Sequence, residues 1–202
     1  MGGTPVTSPT EHDLAWPAGD WLNPPADATE DGADLVVSTH EGSDFWRTTS
    51  YGFVRDDGHA LLVPFPAGSA LEVAFVADFT GLYDQAGALV RVDAETWIKA
   101  GVEVSDGVPQ LGAVVTRGTS DWSLAPVPEW AGREVTVRAS RAGDAVTVRA
   151  RCADEPWRTV RLAWLDPAAE ARAGLFCASP EHAGLRVRFT RLATGPADAS
   201  LH

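Results

Sequence analysis

QAGALVRVDAETWIKAGVE, residues 85–103, is the stretch from which the fold can be worked out. Side chains alternate across a strand, so Ala86, Ala88, Val90 and Val92 share one face, and Gln85, Gly87, Leu89 and Arg91 share the other. After the turn, Ile98, Ala100, Val102 and Val104 share a face, and Trp97, Lys99, Gly101 and Glu103 share its opposite. Directly opposed residues of an antiparallel pair lie on the same side of the sheet. The two apolar sets therefore meet only across a loop with an odd number of residues, and Asp93, Ala94 and Glu95 supply three. The resulting register sets Arg91 against Trp97, Leu89 against Lys99, Gly87 against Gly101 and Gln85 against Glu103. A slip of one residue would drive the polar groups into the aliphatic core.

The polar face of this hairpin has two opposed glycines at its centre, which remove side-chain bulk and leave a hollow. An indole, an amide, an ammonium, a guanidinium and a carboxylate surround it. That set suits a polyhydroxylated ligand, whose C–H faces stack on Trp97 while its hydroxyls bond Gln85, Arg91, Lys99 and Glu103. The competing reading is a solvated outer face. Trp46 joins the candidate ligand-binding residues because polar neighbours flank it in DFWRTTSYGF (44–53). Asp121 and Trp122 join from SDWS (120–123), which is read as a loop after a strand, with Trp122 as an alternative plug for the sandwich end. Glu103 is expected in a cleft beside Trp97, unpaired and with a raised pKa. The structural alternative is a clamp by Arg47, Arg91 or Arg117, which would lower it.

Outward from this hairpin, β-type runs recur at 35–38, 45–54, 59–65, 70–79, 110–116, 134–139, 145–151, 159–163, 173–179 and 185–192. With the central pair they make twelve. Asp57-Gly58, Asp106-Gly107, Ala131-Gly132 and Gly143-Asp144 are the turn signals between them. Only 167–172 (PAAEAR) has a helical look. The fold class is all-β, a two-layer antiparallel jelly-roll sandwich. Residues 1–12 and 194–202 read as disordered tails around one domain at 13–193.

A formal net charge of -12 argues against nucleic acid and anionic membrane surfaces as partners. No apolar run reaches the length of a membrane span, and MGGTPVTSPTEHD lacks the basic and apolar segments of a signal peptide, so a cytoplasmic location is expected. Cys152 and Cys177 sit in apolar runs and read as buried free thiols, with one disulfide as the alternative. His40, Glu41 and Asp44 are metal ligands by type, but one histidine with loop acids is too weak a pattern to assign a metal, and no cofactor is expected. There is no Walker loop, Rossmann fingerprint or Gly-x-Ser-x-Gly elbow. The oligomeric state is not legible.

Six phrases occur in order: WLNPPADAT, DFWRTTSYGF, YDQAGALVRVD, WIKAGVE, VVTRGTSDWS and LFCASP. Together they resemble the uncharacterised-domain family that includes the yeast "regulation of enolase" protein. Ala88 stands where that family commonly has leucine, and Cys177 where it has a small residue. The resemblance implies a concanavalin A-like lectin/glucanase fold with one curved sheet, and no catalytic motif. Glucanases of that fold carry paired carboxylates on one strand in an ExDxE-type run, which is missing here. A retaining pair needs carboxyl groups about 5–5.5 Å apart, and Glu103 with Asp121 are the only candidate catalytic residues. The expectation is a non-catalytic module binding a small carbohydrate or sugar derivative, with a link to the regulation of carbohydrate metabolism implied only by the resemblance. A hydrolase or lyase using Glu103, and a protein-interaction regulator without a small-molecule ligand, are the alternatives.

Overall fold

A computed structural model describes residues 11–16 and 18–200. Its strands are β1 (His12–Asp13), β2 (Asp20–Leu22), β3 (Asp27–Asp31), β4 (Asp34–Ser38), β5 (Phe45–Arg47), β6 (Val54–Asp56), β7 (His59–Pro64), β8 (Ser69–Val76), β9 (Gln85–Arg91), β10 (Thr96–Ser105), β11 (Val108–Arg117), β12 (Thr119–Pro126), β13 (Glu134–Ala142), β14 (Ala145–Cys152), β15 (Arg158–Trp164), β16 (Arg172–Ala178) and β17 (Arg186–Pro196). They form a two-sheet antiparallel sandwich of the jelly-roll, concanavalin A-like kind. One sheet runs β15-β14-β13-β8-β17-β4-β3, with β1 beside β17, and the other runs β12-β11-β10-β9-β16-β7-β2. The β5–β6 hairpin stands apart from both.

The central register is as the parity requires. Arg91 pairs with Trp97, Leu89 with Lys99, Gly87 with Gly101 and Gln85 with Glu103. The aliphatic faces of β9 and β10 meet Leu71, Val73, Phe75, Val137 and Val148 of the other sheet in the main core. The opposite face of the seven-stranded sheet carries a second, smaller core of Phe45, Trp46, Ala60, Leu62, Leu89, Trp97, Val114 and Phe176. Both cysteines are free and buried in the main core.

The glycines at the centre of the polar face have a reason besides leaving space. A Cβ on Gly101 would fall inside contact distance of the Ala86 carbonyl, and one on Gly87 would do the same to the Ala100 carbonyl. Backbone lies in the way, so a methyl group forces the strands apart. Gly101→Ala is expected to destabilise by about 1–3 kcal/mol, the usual cost of overpacking. Urea unfolding measures it, and wild-type stability in the variant would show that the strands are not held this close.

Several expectations need correction. The run 45–54 is not one strand. Thr48, Ser50 and Gly52 all take positive φ, and the chain reverses there to make the β5–β6 hairpin. The SDWS segment is not a loop but lies in β12, because Gly118 at φ 74 turns the chain back along β11. No helix forms at 167–172. Arg141, 2% exposed, instead donates to the carbonyls of Phe65, Asp166, Pro167 and Ala169 and holds that segment as a turn entering β16. Asp57-Gly58 links β6 to β7, which do not pair with each other, so it is no hairpin turn. Strands β1, β2 and β3 also escaped the sequence reading. The short β3 segment DATED is exposed throughout and ends its sheet in charge, a common guard for an edge.

The tail expected from Thr194 is structured at its start. β17 pairs with β8 as far as Pro196, and Asp198 accepts from Arg138 and Arg149. At the other end, His12 pairs with Thr194. The rest of the expected N-terminal tail, residues 1–10, lies outside the described residues.

Candidate functional site

On the outer face of the seven-stranded sheet, strand pairing brings Gln85, Glu103 and Gln110 into one row across β9, β10 and β11. Two positions along β10, the glycine row Gly87, Gly101 and Gly112 leaves the sheet bare. Beyond that row, Lys99 lies beside Val114, and Val114 beside Trp122. The polar floor of a cleft of about 130 Å³ is built from these strands: Gln85, Lys99 and Glu103.

Lys99 is 4% exposed. Its Nζ donates to Asp44 Oδ1 and to Gln85 Oε1, each at 2.8 Å. Asp44 comes from the segment just before β5. Its Oδ1 also accepts from the Phe45 amide at 2.7 Å and from Gln85 Nε2 at 3.3 Å. A buried ammonium is tolerable here because an opposite charge and a second acceptor meet it.

Glu103 has no such partner. Its Oε1 is buried without a hydrogen-bond partner in the protein. Burial pushes its carboxyl up to about 7, and Asp44 acts in the same direction, while Lys99 and the Trp122 side chain act against them. None of the arginines weighed as clamps reaches it. Arg47 pairs with Glu95, Arg91 with Asp56, and Arg117 lies over the Trp164 ring.

The walls are aromatic. Trp46 of β5 meets Trp122 of β12 edge-on, with ring centroids 5.9 Å apart and planes at 84°. Tyr51, in the turn of the β5–β6 hairpin, stands 5.5 Å from Trp46 and stacks on Phe53 at 5.5 Å. The turn is fixed from within. Trp46 Nε1 donates to the Thr49 carbonyl at 3.0 Å, and the Thr48 amide to the Phe53 carbonyl at 2.7 Å. Tyr83, Pro180 and Glu181 line the remaining side. The loops that carry them meet at Asp84, 2% exposed, which accepts from the Gly81 amide and from Ser179 Oγ and pairs with His182. Burial, with Tyr51 beside it, raises the Tyr83 phenol above its ordinary value.

Of the eight residues proposed from sequence, Trp46, Gln85, Lys99, Glu103 and Trp122 line this cleft, and three do not. Trp97 shares the face of Glu103 but lies six residues along β10, roughly 20 Å away. It is 1% exposed, packed against Phe45 in the smaller core. Arg91 is opposite Trp97 and is bound in a bidentate pair to Asp56. Asp121 pairs with Val115, not with Val114, so it lies on the other side of the sheet from Glu103 and forms an ion pair with Arg161. The combination of Glu103 and Asp121 as paired carboxylates is therefore ruled out by strand parity.

The structure adds Asp44, Tyr51, Phe53, Tyr83 and Glu181. In sequence Asp44 is a candidate only as a metal ligand by type, with His40 and Glu41. Among the described residues, no group of three or more His, Cys, Asp or Glu side chains comes together to hold a metal. The signal for Tyr51 and Phe53 was a pair of aromatics set among Thr, Ser and Gly, a combination better suited to a turn than to a strand.

Residues 21–197 match the family described as protein of unknown function (DUF1349). The chain belongs to this family. "Regulation of enolase protein 1" of Saccharomyces cerevisiae is 36% identical over 185 residues, spanning 91% of this chain and 93% of the relative. A crystal structure of a functionally unknown protein from the same organism is 35% identical and covers 90% of this chain and 97% of its own, with a TM-score of 0.83. A xylan β-1,4-xylosidase from Bacillus halodurans C-125 has a TM-score of 0.61 at 13% identity, covering 80% of this chain and 32% of that one. At that identity the likeness is one of fold. The family match takes in every strand that floors or walls the cleft, from β5 to β16.

Proposed function

We propose that the cleft on the seven-stranded sheet binds a sugar residue or sugar derivative without turning it over. The observation that carries this reading is the meeting of an aromatic wall, Trp46, Tyr51 and Trp122, with a polar floor of Gln85, Lys99, Asp44 and Glu103 in one small cleft. A pyranose presents C–H faces to the first and hydroxyls to the second. The fold shared with a glycan-active enzyme supports the reading at the level of architecture. The name of the yeast relative supports tying such binding to the regulation of carbohydrate metabolism.

A glycan array followed by calorimetry on the hits is the direct test. Trp122→Ala and Tyr51→Ala are each expected to weaken binding about tenfold or more per folded molecule. Tyr51 is 50% exposed, so its variant keeps the core intact. Binding untouched by both substitutions would remove the cleft as the site.

One observation favours a second reading. A carboxyl near 7 suits general-acid chemistry at neutral pH, so a hydrolase or lyase using Glu103 is the alternative. Its mark would be turnover of a glycan that is lost in Glu103→Gln. A protein-interaction role is the outcome if the array and the activity screen are both blank.

A further inference from the structure

The cleft holds more acid than base. Asp44, Glu103 and Glu181 line it, with Lys99 as the one cation among its lining residues. Lys99 is already occupied by Asp44 and Gln85. Nearby cations are also engaged. Arg47 is bound to Glu95, and Arg55 donates to the Gly42 carbonyl while lying over the Phe53 ring. A uronate or a sugar phosphate would enter a site with surplus carboxylate and, among the described residues that line it, no uncommitted positive group.

Glu103 offers the opposite opportunity. Its buried Oε1 has no partner within the protein, and a buried acceptor left unpaired carries a free-energy penalty that an incoming donor removes. Trp46 is 6% exposed and meets Trp122 edge-on, so the partly exposed Trp122 is the indole that offers π surface to the cleft. Such surface attracts cations, most strongly for indole. The cleft of about 130 Å³ is on the scale of a cavity that takes one small ring, and it is open to solvent on one side.

We infer that the ligand carries a positive charge, an ammonium group held between the Glu103 carboxylate and the indole of Trp122, with the carboxyl turning its unpartnered oxygen toward the cleft. On the sugar-binding reading, on which this part rests, the ligand is an amino sugar with a free amine. The groups facing Glu103 are Lys99 from its own strand, Asp44 from the segment before β5, Tyr51 from the hairpin turn, Tyr83 from the loop before β9 and Glu181 from the loop after β16. A bound cation favours the ionised carboxylate. Binding of a permanent cation therefore releases a proton from Glu103 below neutrality, and affinity rises with pH through that range.

Calorimetry on the intact chain with glucosamine, N-acetylglucosamine, glucose, glucuronate and choline tests this. At pH 7 glucosamine is expected to bind about tenfold or more tightly than glucose or N-acetylglucosamine, with glucuronate weakest. Choline, whose charge does not titrate, is expected to bind more tightly at pH 8 than at pH 5.5. Glu103→Gln should abolish both the amine preference and the pH dependence of choline binding, in a variant whose cooperative thermal melt shows it folded. Equal affinity for glucose and glucosamine, or a preference for glucuronate, overturns the charge inference and leaves the sugar reading standing. Choline binding with no sugar bound keeps the cation site and overturns the sugar reading. No binding by any of the five probes overturns both.

Discussion

Lys99→Met is expected to destabilise the protein by about 3–5 kcal/mol at neutral pH, the usual consequence of removing one partner of a buried ion pair. The pair qualifies as buried, with side-chain exposures of 5% for Lys99 and 14% for Asp44. Methionine keeps most of the stem volume, so the loss reports the ammonium and not a cavity. Without it, Gln85 Oε1 loses its donor at 4% exposure, and Asp44 keeps only the Phe45 amide and the long contact from Gln85. The damage spreads to the cleft wall. The Asp44 carbonyl accepts from the amides of Asp57 and Gly58, and its amide donates to Asp57, so this residue ties down both ends of the β5–β6 hairpin. Glu103 would also lose the neighbour that lowers its carboxyl and should titrate higher still. Urea unfolding of Lys99→Met, Asp44→Asn and the double variant gives the coupling between them. A loss below about 1 kcal/mol would mean that the pair behaves as a solvent-screened surface bridge.

Glu103→Gln is expected to act in the opposite direction. The folded-state value near 7 lies above the ordinary 4.5. Below pH 4.5 the carboxyl is protonated in both folded and unfolded chains, and its burial has no ionisation cost. Between 4.5 and 7 the folded state binds more proton than the unfolded one, so wild-type stability falls as pH rises. Above 7 the full cost is present, about 3 kcal/mol at 1.36 kcal/mol per pH unit. Glutamine does not titrate. The variant should therefore match wild type near pH 4.5 and exceed it by up to about 3 kcal/mol at pH 8, a rise in Tm of roughly 10 °C for a chain of this size. Thermal melts across pH 4–8.5 check this. A difference that does not change with pH, or a variant less stable than wild type at pH 8, would show that Glu103 is not a buried acid without a charged partner. Such a residue is costly to keep, which is the usual signature of a group retained for binding or chemistry.

The parts of the site legible in the sequence were those fixed by short-range geometry. Alternation along 85–103 and a three-residue loop were enough to give all four cross-strand pairs from Arg91–Trp97 to Gln85–Glu103. The same reasoning does not reach SDWS, which reads as a loop in sequence and so carries no parity. Once Gly118 turns the chain into β12, pairing of Trp122 with Val114 and of Asp121 with Val115 sends the indole into the cleft and the carboxylate to the far face. Asp44 was out of reach for another reason. The ammonium that gives it a role is 55 residues away, and nothing local marks the pairing.

The sandwich and the polar face of β9 and β10 follow from local pattern alone, because a period of two and an odd loop are properties of neighbouring residues. Which part of that face is a site depends on long-range packing. The β5–β6 hairpin arrives from 40 residues upstream and packs Phe45 against Trp97, burying that end in a second core. Its turn leaves Trp46 and Tyr51 beside Lys99 and Glu103, where the glycine row keeps the sheet bare. Covered and open halves of one face have the same alternation in sequence. They differ only in what packs on them, a long-range contact that no local pattern encodes.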